Sequence, residues 1–139
     1  MTAREYLERP EAIRQEIGRK RTRIETLRRL ANRFSPEFTA DRVQSTPDHT
    51  RMQAFLAEAA DEEREISLLE EKRKQALADA ARLIARLPEE KMIRILEMRY
   101  LDRLPWEEIT ERMGSGVSTV YRLHQLALDI LTPPPETED

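Results

Sequence analysis

The sequence predicts an all-α protein, with a long coiled-coil-like N-terminal helical hairpin followed by a three-helix unit that ends in a helix-turn-helix. Three observations lead there. Charged residues make up 37% of the chain and only three of its 139 residues are glycine, a composition that favours long solvated helices over sheets. Apolar residues recur at steps of three, four or seven through the first 86 positions. Residues 87–131 are divided by Pro and Gly into pieces of short-helix length.

The first helix carries a narrow seam of Ile13, Ile17, Ile24, Leu27, Ala31 and Phe34, with Lys20 interrupting one d-like position. Pro36 stops it. Residues 35–50, SPEFTADRVQSTPDHT, hold two prolines and many Ser, Thr and Asp, and read as a loop. Asp48 or Thr50 is the expected cap of the second helix. That helix has a longer seam of Met52, Phe55, Leu56, Ala59, Ile66, Leu69, Ala76, Leu77, Ala80, Leu83 and Ile84, running to about Arg86. It would be over roughly 50 Å long. The shorter first helix cannot cover it alone, so the hairpin is expected to form a homodimer through the N-terminal helices or to dock on a partner.

From Leu87 the punctuation changes. Pro88 is placed at the first position of a helix carrying Ile93, Leu96, Tyr100 and Leu101 inward. Asp102-Arg103-Leu104-Pro105 breaks it. Pro105 sets the backbone for a second helix, Trp106–Met113, whose Glu107 and Glu108 fall in the first turn, where the helix dipole favours negative charge. Trp106, Ile109 and Met113 are expected inside. Gly114-Ser115-Gly116 is a tight turn, with Gly114 suited to a left-handed helix end. The last helix, residues 117–131, would pack through Val120, Leu123, Ala127 and Ile130 and leave Ser118, Thr119, Tyr121, Arg122 and Gln125 facing out. A helix placed so is a candidate for the groove-reading helix of a DNA-binding motif. Residues 132–139, with Pro133-Pro134-Pro135 and three acids, read as a disordered acidic tail.

The residues Leu87-Pro88, Leu96, Arg99-Tyr100, Glu107-Glu108-Ile109, Glu111, Met113-Gly114, Val120 and Ala127-Leu128 give the segment a resemblance to region four of bacterial sigma factors. With the helical N-terminal half, YLDRLPWEEI and RLHQLAL, the whole chain also resembles the small sigma-like transcriptional regulators of phages and prophages, of the ArpU and RinA type. The resemblance implies promoter binding through the helix 117–131 and contact with RNA polymerase or a sigma factor. It places Arg122 at a base-reading position, where an arginine can grip a guanine, and points Tyr121 at DNA. Ser118, Thr119 and Gln125 complete the DNA-binding candidates. Ser115, Arg112 and His124 are candidates for phosphate contact, His124 equally for helix packing.

Arg122 is the one formal cation between Val117 and Leu131, so phosphate neutralisation must come in part from elsewhere. Residues 1–34 carry a net charge of +5, residues 35–86 carry −3, residues 87–131 carry −2, and the tail carries −3. The positive excess lies in Arg19, Lys20, Arg21, Arg23, Arg28, Arg29 and Arg33. Such a cluster either follows a DNA backbone or forms a solvated helix face paired with acids.

Other function classes find little support. With no Cys and only His49 and His124, neither a metal centre nor a disulfide is expected, and no cofactor motif is present. The pairs Glu62-Glu63 and Glu70-Glu71 lie on charged helix surfaces without a phosphate loop or a Ser/His/Asp set, so no enzyme is expected. No run approaches a membrane span, and a cytoplasmic protein of a bacterial host cell is expected, with double-stranded DNA as its ligand. Two other readings stay open. One is a subunit like the phage small terminase, in which long helices assemble a ring around a DNA-packaging helix-turn-helix. The other is an interaction protein that occupies the polymerase without touching DNA.

Overall fold

A computed structural model describes residues 1–35 and 46–135, and every element in them is helical. In chain order these are α1 (Ala3–Arg33), α2 (Thr46–Ile84), α3 (Glu90–Leu96) running on into a π-helical turn (Glu97–Leu101), α4 (Trp106–Met113) and α5 (Val117–Ile130). The protein is therefore all-α among the described residues. The Thr2 hydroxyl accepts the Glu5 N–H at 3.1 Å and donates to the Glu5 carboxylate at 3.2 Å, which satisfies an otherwise orphaned donor at the start of α1. Pro10 lies inside α1.

Three boundaries differ from the sequence expectation. The loop assigned to residues 35–50 is shorter, because α2 already begins at Thr46. Pro47 then falls in the first turn, where a missing N–H has no helical acceptor to lose. Residues 36–45 of that loop lie outside the described residues, as do 136–139 of the tail. Pro88 is not a first helical residue, since Glu89, with extended backbone, precedes the helix that starts at Glu90. Ile130 does not pack inward; it is 48% exposed, and Leu131 turns in behind it at 7%.

Contacts group the chain into two compact units, residues 12–72 and residues 1–11 with 73–139; the sequence reading divides it at residue 87. In the first, the two helices run antiparallel over a small core of Ile17, Ile24, Leu27, Ala59 and Ile66, with Ile13, Phe55 and Leu69 packed against it. Phe34 stacks on Phe55 with ring centroids 6.0 Å apart. Leu56, one residue round from Phe55, is exposed, as is Leu68.

The second unit has the larger core. Ala3, Tyr6 and Leu7 of α1 and Ala80, Leu83 and Ile84 of α2 pack with Leu87, Met92, Ile95, Leu96, Ile109, Val120, Leu123, Ala127 and Leu128. Here α3 packs on both α4 and α5, and α4 packs on α5. The π-helical turn closes through Asp102 N–H to the Glu97 carbonyl at 2.9 Å and is followed by Leu104 N–H to the Met98 carbonyl at 2.9 Å. The wider turn brings both Met98 and Tyr100 into the core, at 8% and 3% exposure. Arg103 leaves it in a left-handed conformation, φ 59°, and its Nε lies 3.5 Å from the Glu11 carboxylate.

Candidate nucleic-acid interface

The turn before α5 is built by three backbone settings. Pro105, extended at ψ 154°, opens α4. Gly114 takes φ 66° and closes it with N–H bonds to the Thr110 and Glu111 carbonyls at 3.1 and 3.2 Å, a conformation that a side chain would oppose. Gly116 returns to extended backbone and its carbonyl receives the first α5 bond, from Val120 N–H at 3.1 Å. Three residues thus separate the helices, as a helix-turn-helix requires.

One face of α5 buries Val120, Leu123, His124, Ala127 and Leu128. The other is open to solvent. Of the expected DNA-facing residues, Ser118, Tyr121, Arg122 and Gln125 are exposed there together, and Thr119 is half-buried at the edge. At steps of four, three and four, Ser118, Arg122, Gln125 and Asp129 line up along the helix as one ridge. Val117 and Tyr121 flank it on one side and Leu126 and Ile130 on the other, each 41–48% exposed. Gln125 Nε2 donates to Asp129 Oδ1 at 3.0 Å.

The phosphate-contact candidates divide. Ser115 is half-buried in the turn. Arg112 is exposed but its Nη2 lies 2.7 Å from Glu108 on the same helix. His124 is 6% exposed and belongs to the packing, not to the surface: its Nε2 meets the Tyr100 hydroxyl at 2.7 Å, and its ring stacks on Tyr100 with centroids 5.7 Å apart.

Around His124 an aromatic cluster ties α5 to the rest of the unit. Trp106 stands edge-on to His124 at 4.8 Å and to Tyr121 at 5.0 Å. The Arg99 guanidinium lies 4.6 Å from the Trp106 ring centroid and donates to the Leu104 carbonyl at 3.2 Å, a cation–π contact that also fixes the break before α4. Burial, then the positive charges of Arg4 and Arg99, push His124 down to about 4, so at neutral pH it is an uncharged ring. Burial likewise raises Tyr100. The π-helical turn that lets Tyr100 reach His124 leaves no local mark in the sequence, and the pair is not found by spacing.

The basic cluster of α1 is largely spent on α2. Lys20 meets Glu62 and Glu65 at 3.2 and 2.5 Å, Arg21 meets Glu70 at 3.2 Å, Arg23 meets Glu58 at 3.0 Å, and Arg28 pairs with Glu63. The side-chain hydrogen bonds to Glu65 and Glu62 raise Lys20 above its ordinary value. Arg19, Arg29 and Arg33 are solvent-facing and make no ion pair among the described residues. In the helix-turn-helix unit the same is true of Arg86, Lys91, Arg94 and Arg122. The first three of these were not singled out by the sequence reading, because isolated cations on polar helix faces carry no spacing signal. No helix among the described residues is long and apolar enough to cross a membrane.

Comparison with known families gives a match to the family described as Protein of unknown function (DUF1492) over residues 32–132, most of the chain. No curated protein and no solved structure matches.

Proposed function

The chain belongs to the DUF1492 family, a phage-associated one, and on that footing we propose that it is a DNA-binding transcriptional regulator of phage or prophage genes that reads promoter DNA with α5. The observation that carries this reading is the two-sidedness of α5. One face is locked into a core by Val120, Leu123, His124 and Ala127, while the other holds Ser118, Tyr121, Arg122 and Gln125 clear of the protein behind a three-residue turn. A helix held in that way fits the major groove. Arg122, with no ion pair among the described residues, is the base-reading arginine, and Ser118 and Gln125 lie one turn to either side. Phosphate contacts come from Ser115 and from Arg86, Lys91 and Arg94, which are exposed and make no ion pair among the described residues. With so few cations on α5, contact with RNA polymerase or a sigma factor supplies the remaining affinity. The exposed Leu56 and Leu68 of the hairpin support a homodimer through α1 and α2.

Capture of sheared genomic DNA from the source of the protein, with and without host RNA polymerase at near-physiological salt, tests the reading. Enrichment of a few promoter-proximal fragments is expected. Arg122→Ala should abolish the enrichment of those fragments while leaving helix content unchanged. Uniform recovery of all fragments by the wild-type protein, or none under either condition, would overturn the proposal.

A further inference from the structure

Asp129 is placed where its charge is twice unfavourable. It lies in the last turn of α5, where the helix dipole disfavours an acid and where no basic residue balances it. It also stands on the exposed ridge with Ser118, Arg122 and Gln125, the face assigned above to a polyanion. Among the described residues its one hydrogen bond is with Gln125, whose Nε2 donates to Oδ1 at 3.0 Å across one turn.

A primary amide alone can present its carbonyl and amino groups either way round. A carboxylate only accepts, so it holds the amino end of the amide on its own side. With one Nε2 hydrogen given to Asp129, Gln125 retains one N–H and the Oε1 acceptor in fixed order. That donor–acceptor pair is the complement of adenine N7 and N6 in the major groove. Arg122, three residues earlier on the same ridge, offers the matching fork for guanine O6 and N7.

We infer that Asp129 is a positioning residue that orients the Gln125 amide to read an adenine, adjacent to the guanine read by Arg122. The inference rests on the DNA-reading role of α5. Asp129 trades general affinity for selectivity: it repels phosphates at every sequence and sharpens one base position.

Selection from a random duplex library, followed by binding titrations on the selected site and its single-base variants, tests this with the full-length chain. The wild-type protein should select an adenine beside a guanine and bind that adenine at least about fivefold better than another base at the same position. Gln125→Ala and Asp129→Ala should each lose most of that preference, and the double variant should lose no more than either. Asp129→Ala should at the same time bind all sequences more tightly. Asp129→Asn, whose amide can turn either an acceptor or a donor toward Gln125, should also lose part of the adenine preference. If both Asp129 variants keep the preference, Asp129 is only a surface charge and the inference falls. If Asp129→Ala instead loses a cytosine, Asp129 reads that base itself and the inference equally falls. A wild-type protein that selects no site removes the DNA-reading role itself, a failure distinct from either of these.

Discussion

Replacing Tyr100 by phenylalanine removes one oxygen from the core of the helix-turn-helix unit and should loosen the seat of α5. The hydroxyl is 2.7 Å from His124 Nε2, and both residues are almost fully buried. Phenylalanine keeps the ring that stacks on His124 but leaves Nε2 without a partner in a place that water does not reach. An orphaned buried polar atom costs about 1–3 kcal/mol, whereas replacing both partners by apolar groups of similar shape is nearly neutral. For a unit of this size each kcal/mol moves the midpoint by about 4–8 °C, so a loss of several degrees is expected. Trp106 is the single tryptophan of the chain and lies edge-on to His124 at 4.8 Å, so its fluorescence during urea unfolding reports this unit directly. Tyr100→Phe should lower stability by about 1–3 kcal/mol on that probe. Tyr100→Phe combined with His124→Phe should recover at least about 1 kcal/mol relative to the sum of the single losses. A single variant within about 0.5 kcal/mol of wild type, or a strictly additive pair, would refute the claim that this hydrogen bond anchors α5.

Three further outcomes follow from the same structure. Since His124 is held near 4 against an ordinary 6.5, its neutral form is bound in the fold, and the associated stability is fully present above pH 6.5 and lost as pH falls toward 4, by at most about 3 kcal/mol; His124→Phe should flatten that part of a pH–stability curve. Gly114→Ala places a side chain at φ 66° and should cost about 1 kcal/mol in thermal unfolding, although nothing lies close enough to clash, because the cost is in the backbone. Arg103→Gly, at φ 59°, should be neutral or stabilising by up to about 1 kcal/mol in the same assay, since relief of the left-handed backbone outweighs a partly exposed contact with Glu11.

How far the sequence speaks depends on whether a feature has a local cause. The bounds of α4 were legible because Pro105 and Gly114 are backbone instructions in themselves, and the inner face of α5 because Val120, Leu123 and Ala127 keep a helical step. The pairing of Lys20 with α2 was half legible: its interruption of the apolar seam is visible, but its partners Glu62 and Glu65 are over forty residues away. The π-helical turn was not legible, since the residue it adds shifts Met98 and Tyr100 off the 3.6-residue step of the preceding helix, and no residue in Glu97–Leu101 marks the shift. The inward set named there, Ile93, Leu96, Tyr100 and Leu101, missed Ile95, which is as fully buried as Leu96 because the helix packs on both α4 and α5. Ile130 fits the apolar step of α5, yet the helix ends there and Leu131 takes the inward place. On the candidate interface, exposure of Ser118, Tyr121, Arg122 and Gln125 followed from that step, whereas the burial of His124 depended on Tyr100 arriving from another helix.

The outer face of α5 is the surface proposed to meet DNA. The most direct measurement is a backbone amide NMR titration of the full-length protein with a duplex recovered by the genomic capture. Perturbations should concentrate on Ser115, Ser118, Tyr121, Arg122 and Gln125. Perturbations confined to α1 and α2, with the amides of α5 unmoved at saturation, would contradict it.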